Sequence, residues 1–594
     1  MLTVGVTGHR HGILAPEPTD KLSERLRAVL SDVKAQAMHV HSGNAEFFST
    51  APLRLEFISS LADGTDQIAA EIALDLGFDL NAVLLFERER YRLGMDEASR
   101  ERFDALLERA KSVLELPGRP DDALQPHAVA GLATLAHSDL LLAVWDGQPA
   151  RGVGGTADVV ELAMEMARPI IHVPVQGDSA PNLRWGAFEP AFVTSAEDPL
   201  TIRPYSPTEL GGVLAALVAP PGDPRERQFL RDYQSERRRR WRPRIEYPLL
   251  LAAAGVSGIK RRHLHNERSV EETNEEWLRY RDACNRAKSV SVPLESLCSW
   301  YEWADSLAGH FAQSYRSGHV FNFVLGALAV LLGVGNLVLP SWSVVLESAL
   351  FLTVLAILAN TVAGNRQQWH RRWLDYRQLA ERLRPMRTLK LLGVASPDPP
   401  GTAADPVSRR WVEWYAATVW RALGLPAGRI DAARLEALTS TIVHYEIEPQ
   451  VAYHHAAARQ VQRLDRRLEV IGFSAFVLAL ISSIVLLTGF AIAPEWIEAN
   501  YDWFTVLAAG LPAIGTAAVG IRVQGDHSGS AARSEQSAVV LDRIGERLRA
   551  EGTSLRRAAD LTEQSARAML SDLDEWRVLN QQHDLSVGWA SPLP

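Results

Sequence analysis

Four runs of about twenty residues, almost free of charge, decide what this chain can become: Val320–Leu339, Val344–Ala363, Val470–Ala493 and Trp503–Ile521. A helix of about 20 apolar residues is what crosses the hydrocarbon of a bilayer, where each backbone polar group must find its partner within the segment. The runs come as two pairs with short connections, which predicts two hairpins. The connections, Leu339–Ser343 and Pro494–Asp502, hold no Lys or Arg but carry Trp342, Trp496 and Tyr501, rings suited to a membrane–water interface. Arg316, Arg366, Arg371 and Arg372 flank the other ends of the first pair, and Arg463, Arg466, Arg467 and Arg522 those of the second. Basic residues stay on the cytoplasmic side. The expectation is a multi-pass protein with both hairpin tips outside and both termini in the cytoplasm.

The rest of the chain reads as soluble. Its mean hydropathy of -0.07 hides the four runs, and its net charge of -9 offers no global basic field, so no nucleic-acid partner is expected. The two cysteines, Cys284 and Cys298, fit a reducing compartment, and no Cys/His group beside them predicts a metal site. No basic, apolar leader opens the sequence.

Residues 1–205 alternate short apolar runs with helical ones. Strands are predicted at Leu2–Thr7, Leu55–Ser60, Ala82–Phe86, Asp139–Trp145 and Pro169–Val173. Helices are predicted at Leu22–Ala37, Thr65–Leu76, Ala98–Val113, Leu124–Ala136 and Thr156–Ala167. Continuous apolar strands alternating with helices predict an α/β Rossmann-like parallel sheet covered on both faces, ahead of an all-α membrane region. The breaker run Ala219–Pro224 marks a boundary. The predicted division is 1–205 for the sheet domain, 206–293 for a basic and helical connector, and 294–395 for a first hairpin unit with spans in 320–363. A connector at 396–450, a second hairpin unit at 451–560 with spans in 470–521, and a tail at 561–594 follow. Glu381–Arg384 after the first hairpin and Glu546–Arg549 after the second suggest one unit used twice.

Three loops fall at the carboxyl ends of predicted strands, where open α/β sheets bind ligands. They are Gly8-His9-Arg10, Asp63-Gly64-Thr65-Asp66, and Asp146-Gly147 leading through Arg151 to Gly154-Gly155-Thr156. Glycines let a phosphate approach the backbone, and the helix after Gly155 offers free N–H groups with the Thr156 hydroxyl. Arg10 and Arg151 bring guanidinium groups to the same place. A ligand-free set of tight turns is the plainer alternative. Val6–Arg10, Leu61–Asp66 and Gly154–Thr156 resemble the SLOG superfamily (DprA and LOG relatives) over roughly residues 1–175. The resemblance implies a pocket for nucleotides or nucleotide-derived signals, ADP-ribose-like or cyclic. Some of those relatives are phosphoribohydrolases with a Glu three residues after the motif Thr. Val159 stands there, so an acid/base group expected for glycosidic cleavage is missing and no catalytic residue is assigned.

The membrane half is similar to the SLATT group of two-helix effector domains, on the pattern Trp369–Arg384. That resemblance implies an effector of a bacterial conflict system against phage that responds to a nucleotide second messenger and permeabilises the inner membrane; four spans per chain are too few to enclose a wide channel, so a homo-oligomeric pore is expected. The alternative is a membrane-tethered nucleotide or nucleoside hydrolase using Asp66, Asp146 or Asp158. Within the spans, Asn336 and Asn360 would bridge helices or line a path, and Glu347 sits in the bundle interior or at the interface near its hairpin tip. Arg237–Arg244 would contact anionic lipid or a ligand, or form a solvated face.

Overall fold

The computed structural model describes residues 1–9, 19–118, 125–149, 154–175, 179–188, 199–287, 290–397, 409–550 and 553–580. Nine strands form one sheet: β1 (Leu2–Gly8), β2 (Leu55–Ser59), β3 (Asp79–Leu84), β4 (Ser112–Glu115), β5 (Leu140–Trp145), β6 (Ile170–Pro174), β7 (Asn182–Arg184), β8 (Ile202–Pro204) and β9 (Gly428–Arg429). Their order is β8-β7-β6-β5-β1-β2-β3-β4-β9. From β6 to β9 all neighbours run parallel, with Val4 paired to Phe57 on one side and to Leu140 on the other. The pairs β6–β7 and β7–β8 are antiparallel. All six residues of β5 are buried, because helices cover both faces of the sheet and leave no side for water. The chain steps outward from β1 to β4, then returns to the far side of β1 for β5. The switch point of the sheet therefore lies between β1 and β5.

The expected helix Ala98–Val113 ends at Arg109, and Ser112–Glu115 is strand β4 beside β3. Asp96 caps that helix by accepting from the Ser99 N–H at 2.8 Å. The five predicted strands fall within three residues of their places, the first helix runs on to Gly43, and β7 and β8 have no predicted counterpart. β9 comes from the connector between the hairpins, so the sheet domain is completed by chain more than 300 residues downstream of β4. One apolar cluster joins Val4 and Leu84 of the strands to Trp411, Leu435 and Leu548.

Four helices are long and apolar enough to cross a membrane, which is compatible with a membrane protein. The first, Leu294–Val338, and the third, Glu448–Ile492, are each 45 residues long. The second is Ser343–Arg366 and the fourth Pro494–Gln524. The expected loop Pro494–Asp502 is helical. Pro494 stands at the first helical position, where its missing N–H costs nothing, so the turn shrinks to Ala493. Each hairpin ends in the same way: a right-handed residue, then a left-handed one (Gln368, φ 51°, or Asp526, φ 41°), then a return helix, Trp369–Leu383 or His527–Arg549. The unit is thus duplicated in the length of its first helix and in its kink, while its second and return helices are longer in the second copy. The four-letter repeat lies at the end of both return helices: Glu381 stands two residues before the end of the first and Glu546 three before the end of the second, although they are the thirteenth and twentieth residues after the kink.

The spanning helices pack in the order second, first, fourth, third. Gly510 and Gly520 of the fourth admit Leu331 and Phe323 of the first, because a Cβ at either glycine would collide with them. Asn360 donates to the Gly318 carbonyl at 3.1 Å and to Asn322 Oδ1 at 2.7 Å, and Asn322 donates to Thr361 Oγ1 at 3.0 Å. Asn360 therefore bridges the first hairpin. Asn336 donates to Glu347 at 2.6 Å close to the exposed tip.

Candidate functional site

The three predicted loops meet at the switch point. β1 ends so close to the helix Thr65–Asp75 that a Cβ on Gly8 would lie 2.5 Å from the Thr65 methyl. Only glycine permits this approach. Thr65 then locks the loop: its N–H and hydroxyl both donate to the His9 carbonyl, at 3.4 and 3.0 Å. The His9 ring reaches across to the loop after β5. Its Nε2 lies 3.4 Å from Asp146 Oδ1 and accepts from the Asp146 N–H at 3.3 Å. Asp146 also turns its own loop, accepting from the Gln148 N–H at 3.0 Å, while Trp145 Nε1 donates to the Gln148 carbonyl at 2.9 Å. Gly147 has φ 78° and open space around it.

Asp66 is buried in the first turn of its helix, and Ser60 Oγ donates to it at 2.7 Å. Gly64, with φ 96°, leads into that helix, and Asp63 is half-buried beside it. Gly154 has φ 84°, and a Cβ there would lie 2.6 Å from the Ala128 nitrogen, so shape and backbone both demand glycine. Its N–H donates to Asp158 Oδ2 at 2.7 Å. Gly155 caps the helix Thr156–Glu165 without a side-chain bond. Its first N–H groups, with Thr156 half-buried beside them, form the end of the helix that attracts negative charge. Asp158 sits in that first turn and meets part of the same field. Arg10 and Arg151 lie outside the described residues.

The chemistry available is therefore a donor-rich rim carrying one imidazole that accepts from the backbone beside a carboxylate. Asp66, Asp146 and Asp158 each accept bonds that fix their own loops. Val159 packs into an apolar cluster with Leu135 and Leu141. Among the described residues no group of three or more His, Cys, Asp or Glu could hold a metal ion.

A second concavity went unread in the sequence. A cavity of about 1050 Å³ opens at the carboxyl ends of β3 and β4. Leu85, Leu116 and Val129 line it from the sheet side, Leu435 and Val443 from the approach to the third spanning helix, and Arg549 from the second return helix. Glu448, the first residue of the third spanning helix, accepts from Arg549 and pairs with His444 at 3.0 Å. The lining comes from segments hundreds of residues apart, so no local pattern announces it.

The amino ends of the central strands are sealed by buried charge. Asp139 accepts from the Thr3 N–H at 3.0 Å and from Arg421 at 2.6 Å. Burial pushes its pKa up, but the Arg421 charge and these bonds outweigh that and hold it below the usual value. Lys390 Nζ lies 2.9 Å from His137 Nδ1 and 3.8 Å from the centre of a Trp420 ring, and it donates to the Gly424 carbonyl at 2.7 Å. Burial depresses the pKa of both Lys390 and His137 well below their ordinary values. Arg238, Arg239, Arg242 and Arg244 of the basic block bond to Glu302, His310, Asn266 and Asn360 within the chain. No known family model, curated protein or solved structure matches the chain.

Proposed function

We propose that this chain is a ligand-gated membrane effector. In this reading a phosphate-bearing nucleotide signal, ADP-ribose-like or cyclic, docks at Gly8–Arg10, Asp63–Asp66, Asp146–Gly147, Arg151 and Gly154–Thr156, and the hairpins answer by permeabilising a bacterial inner membrane as a homo-oligomer. A role in defence against phage, and SLOG-like and SLATT-like identity for the two halves, belong to the same proposal.

One observation supports the coupling above the others. The edge strand β9 pairs with β4, and two residues after it begins a helical run, Ala432–Ile492, of 61 residues. At 1.5 Å per residue that is a rod of about 90 Å. It leads from the edge of the sheet through the third span with a single π-helical turn, Val443–Ile447, on the way. A change of sheet packing at that edge has a covalent route into the bilayer.

The test is dye release from liposomes holding the full-length protein, against a panel of cyclic and ADP-ribose-type nucleotides. Release with one class of ligand, lost in Gly155→Asp, is expected. Turnover of NAD, ADP-ribose or nucleoside monophosphates with no leakage would sink the proposal and favour a tethered hydrolase.

A further inference from the structure

The segment between the sheet domain and the first spanning helix forms a strap across the inner ends of all four spans. Trp241 and His265 pair at its neck. From there Arg244 donates to Asn360 of the second helix at 2.6 Å. The Tyr247 N–H donates to Ser317 Oγ of the first helix at 3.1 Å. The short helix Glu246–Ala253 then lays Leu251 into a cluster with Val320, Leu464, Leu468, Ala518 and Ile521. The Ala254 carbonyl accepts from Arg467 of the third helix. The outer side of the strap is amphipathic. Trp241, Leu249 and Ile259 are 64, 45 and 48% exposed, and Lys260 and Arg261 beside them are exposed too. A strap with Leu249 outward on its short helix, and with exposed Trp241 and Ile259 before and after that helix, is suited to lie in the headgroup region where spans begin.

Next to the strap, one face of the third spanning helix changes character along its length. Arg459, Arg463, Arg466, Val470 and Phe473 follow one another at spacings of four and three, so they share a face. All five are exposed. The nearby carboxylates are engaged elsewhere: Asp465 accepts from Arg522 at 2.8 Å, and Glu469 lies 3.5 Å from the same guanidinium. Arg466 is about 6 Å below Val470 and about 10 Å below Phe473 along the axis. Lys260 is five residues beyond Gly255, which abuts Arg467, and so lies within about 17 Å of it.

We propose that this face and the strap together bind an anionic phospholipid. Arg463 and Arg466 hold its phosphate, Lys260 and Arg261 add positive charge from the strap, and the acyl chains lie along Val470 and Phe473. The observations that carry it are the charge complementarity and the continuity with the lipid-facing side of the span. The inference rests on the membrane reading but not on any nucleotide.

The test is native mass spectrometry of the full-length protein in mixed micelles containing phosphatidylglycerol or phosphatidylcholine. Selective retention of phosphatidylglycerol is expected, undisturbed by inorganic phosphate. Each basic side chain near an anionic surface is worth about fivefold in binding, so Arg463→Gln with Arg466→Gln should weaken retention about 25-fold. Arg463→Lys with Arg466→Lys should keep most of it. Equal retention of the two lipids by the wild-type chain, or displacement by inorganic phosphate, overturns the site. A wild-type chain that stays soluble and monodisperse without micelles would instead strike the spanning assignment.

Discussion

Glu446→Gln is the sharpest probe of how the hairpins are tied together. Glu446 lies in the π-helical turn at the root of the third spanning helix and is 1% exposed. It accepts from Arg384 Nε at 3.0 Å and from Arg387 Nε at 2.6 Å. Both arginines belong to the helices that follow the first hairpin, and both also donate to Glu276, at 2.8 and 3.0 Å. Arg387 is fully buried, with Trp277 and Tyr280 rings 4.7 and 4.5 Å away. Glutamine keeps the volume but loses the charge. Its single carbonyl can satisfy one arginine, and its NH2 then confronts the other. Two charge-assisted bonds of about 1.5–3 kcal/mol each are affected, and breaking a buried pair from one side costs about 3–5 kcal/mol. At about 2–4 °C per kcal/mol, the unfolding midpoint of the part outside the spans should fall by about 6–20 °C. Scanning calorimetry in detergent reads this. Arg387→Met combined with Glu446→Gln should be less damaging than the two single effects added, because each single change strands a charge that the other removes. A midpoint within 2 °C of wild type for Glu446→Gln, or strict additivity, would refute the cluster as the clamp.

Three further outcomes are expected. Gly154→Ala must place a Cβ 2.6 Å from the Ala128 nitrogen at φ 84°, so it should cost about 2 kcal/mol or more and open the loop to proteolysis while leaving the spans intact; unchanged proteolysis would mean the loop is not held this way. The neutral His137 ring uses both nitrogens, accepting from Lys390 and donating to the Gly393 carbonyl at 3.1 Å, and burial holds its folded pKa well below the ordinary 6.5. The unfolded state therefore takes up the proton first, so stability present above about pH 6.5 is lost as pH falls toward the folded value, about 1.4 kcal/mol by pH 5.5; His137→Asn should flatten this limb of the melting curve, and an unchanged slope would count against it. A cysteine at Ser341, in the first hairpin tip, should react with an impermeant maleimide added outside spheroplasts, whereas one at Ser530 should react only after lysis; the reverse pattern would invert the proposed orientation.

The spans and the switch-point loops were legible because each has a local physical cause. A bilayer demands an uninterrupted apolar run, and a backbone passing within van der Waals reach of another demands glycine, as at Gly8 and Gly154. The misses have causes too. Val113 and Leu114 follow a helix with spacing that suits either structure, and only pairing with β3 makes them a strand. β9 is two residues long and has no pattern of its own. Arg387 and Lys390 carry no local signal of burial, yet both are buried, because Glu446, Glu276, His137 and Trp420 reach them from other parts of the chain. The four shared letters mark the ends of both return helices, while the 45-residue helices and the left-handed kinks that complete the duplication are features of geometry that several sequences can encode.

The proposed coupling makes a demand on the hairpins that the packing can meet. A rod fixed at the sheet edge and at the membrane can pass on motion only if it moves as a body or yields at one place. The π-helical turn is the place where the rod's hydrogen-bond ladder is irregular. Glu446 ties that turn to the return segment of the first hairpin through Arg384 and Arg387, so a displacement at the root of the third helix pulls on the first hairpin too. The hairpins meet through the first and fourth helices at Gly510 and Gly520, a contact of small residues that can slide without leaving a large void. The helices stand as a row, with none of the most apolar stretch of the second buried within the chain. A row encloses no lumen by itself. Permeation in the proposed sense must then arise where rows from several chains meet, and ligand binding would act by changing which faces of those rows are presented to one another.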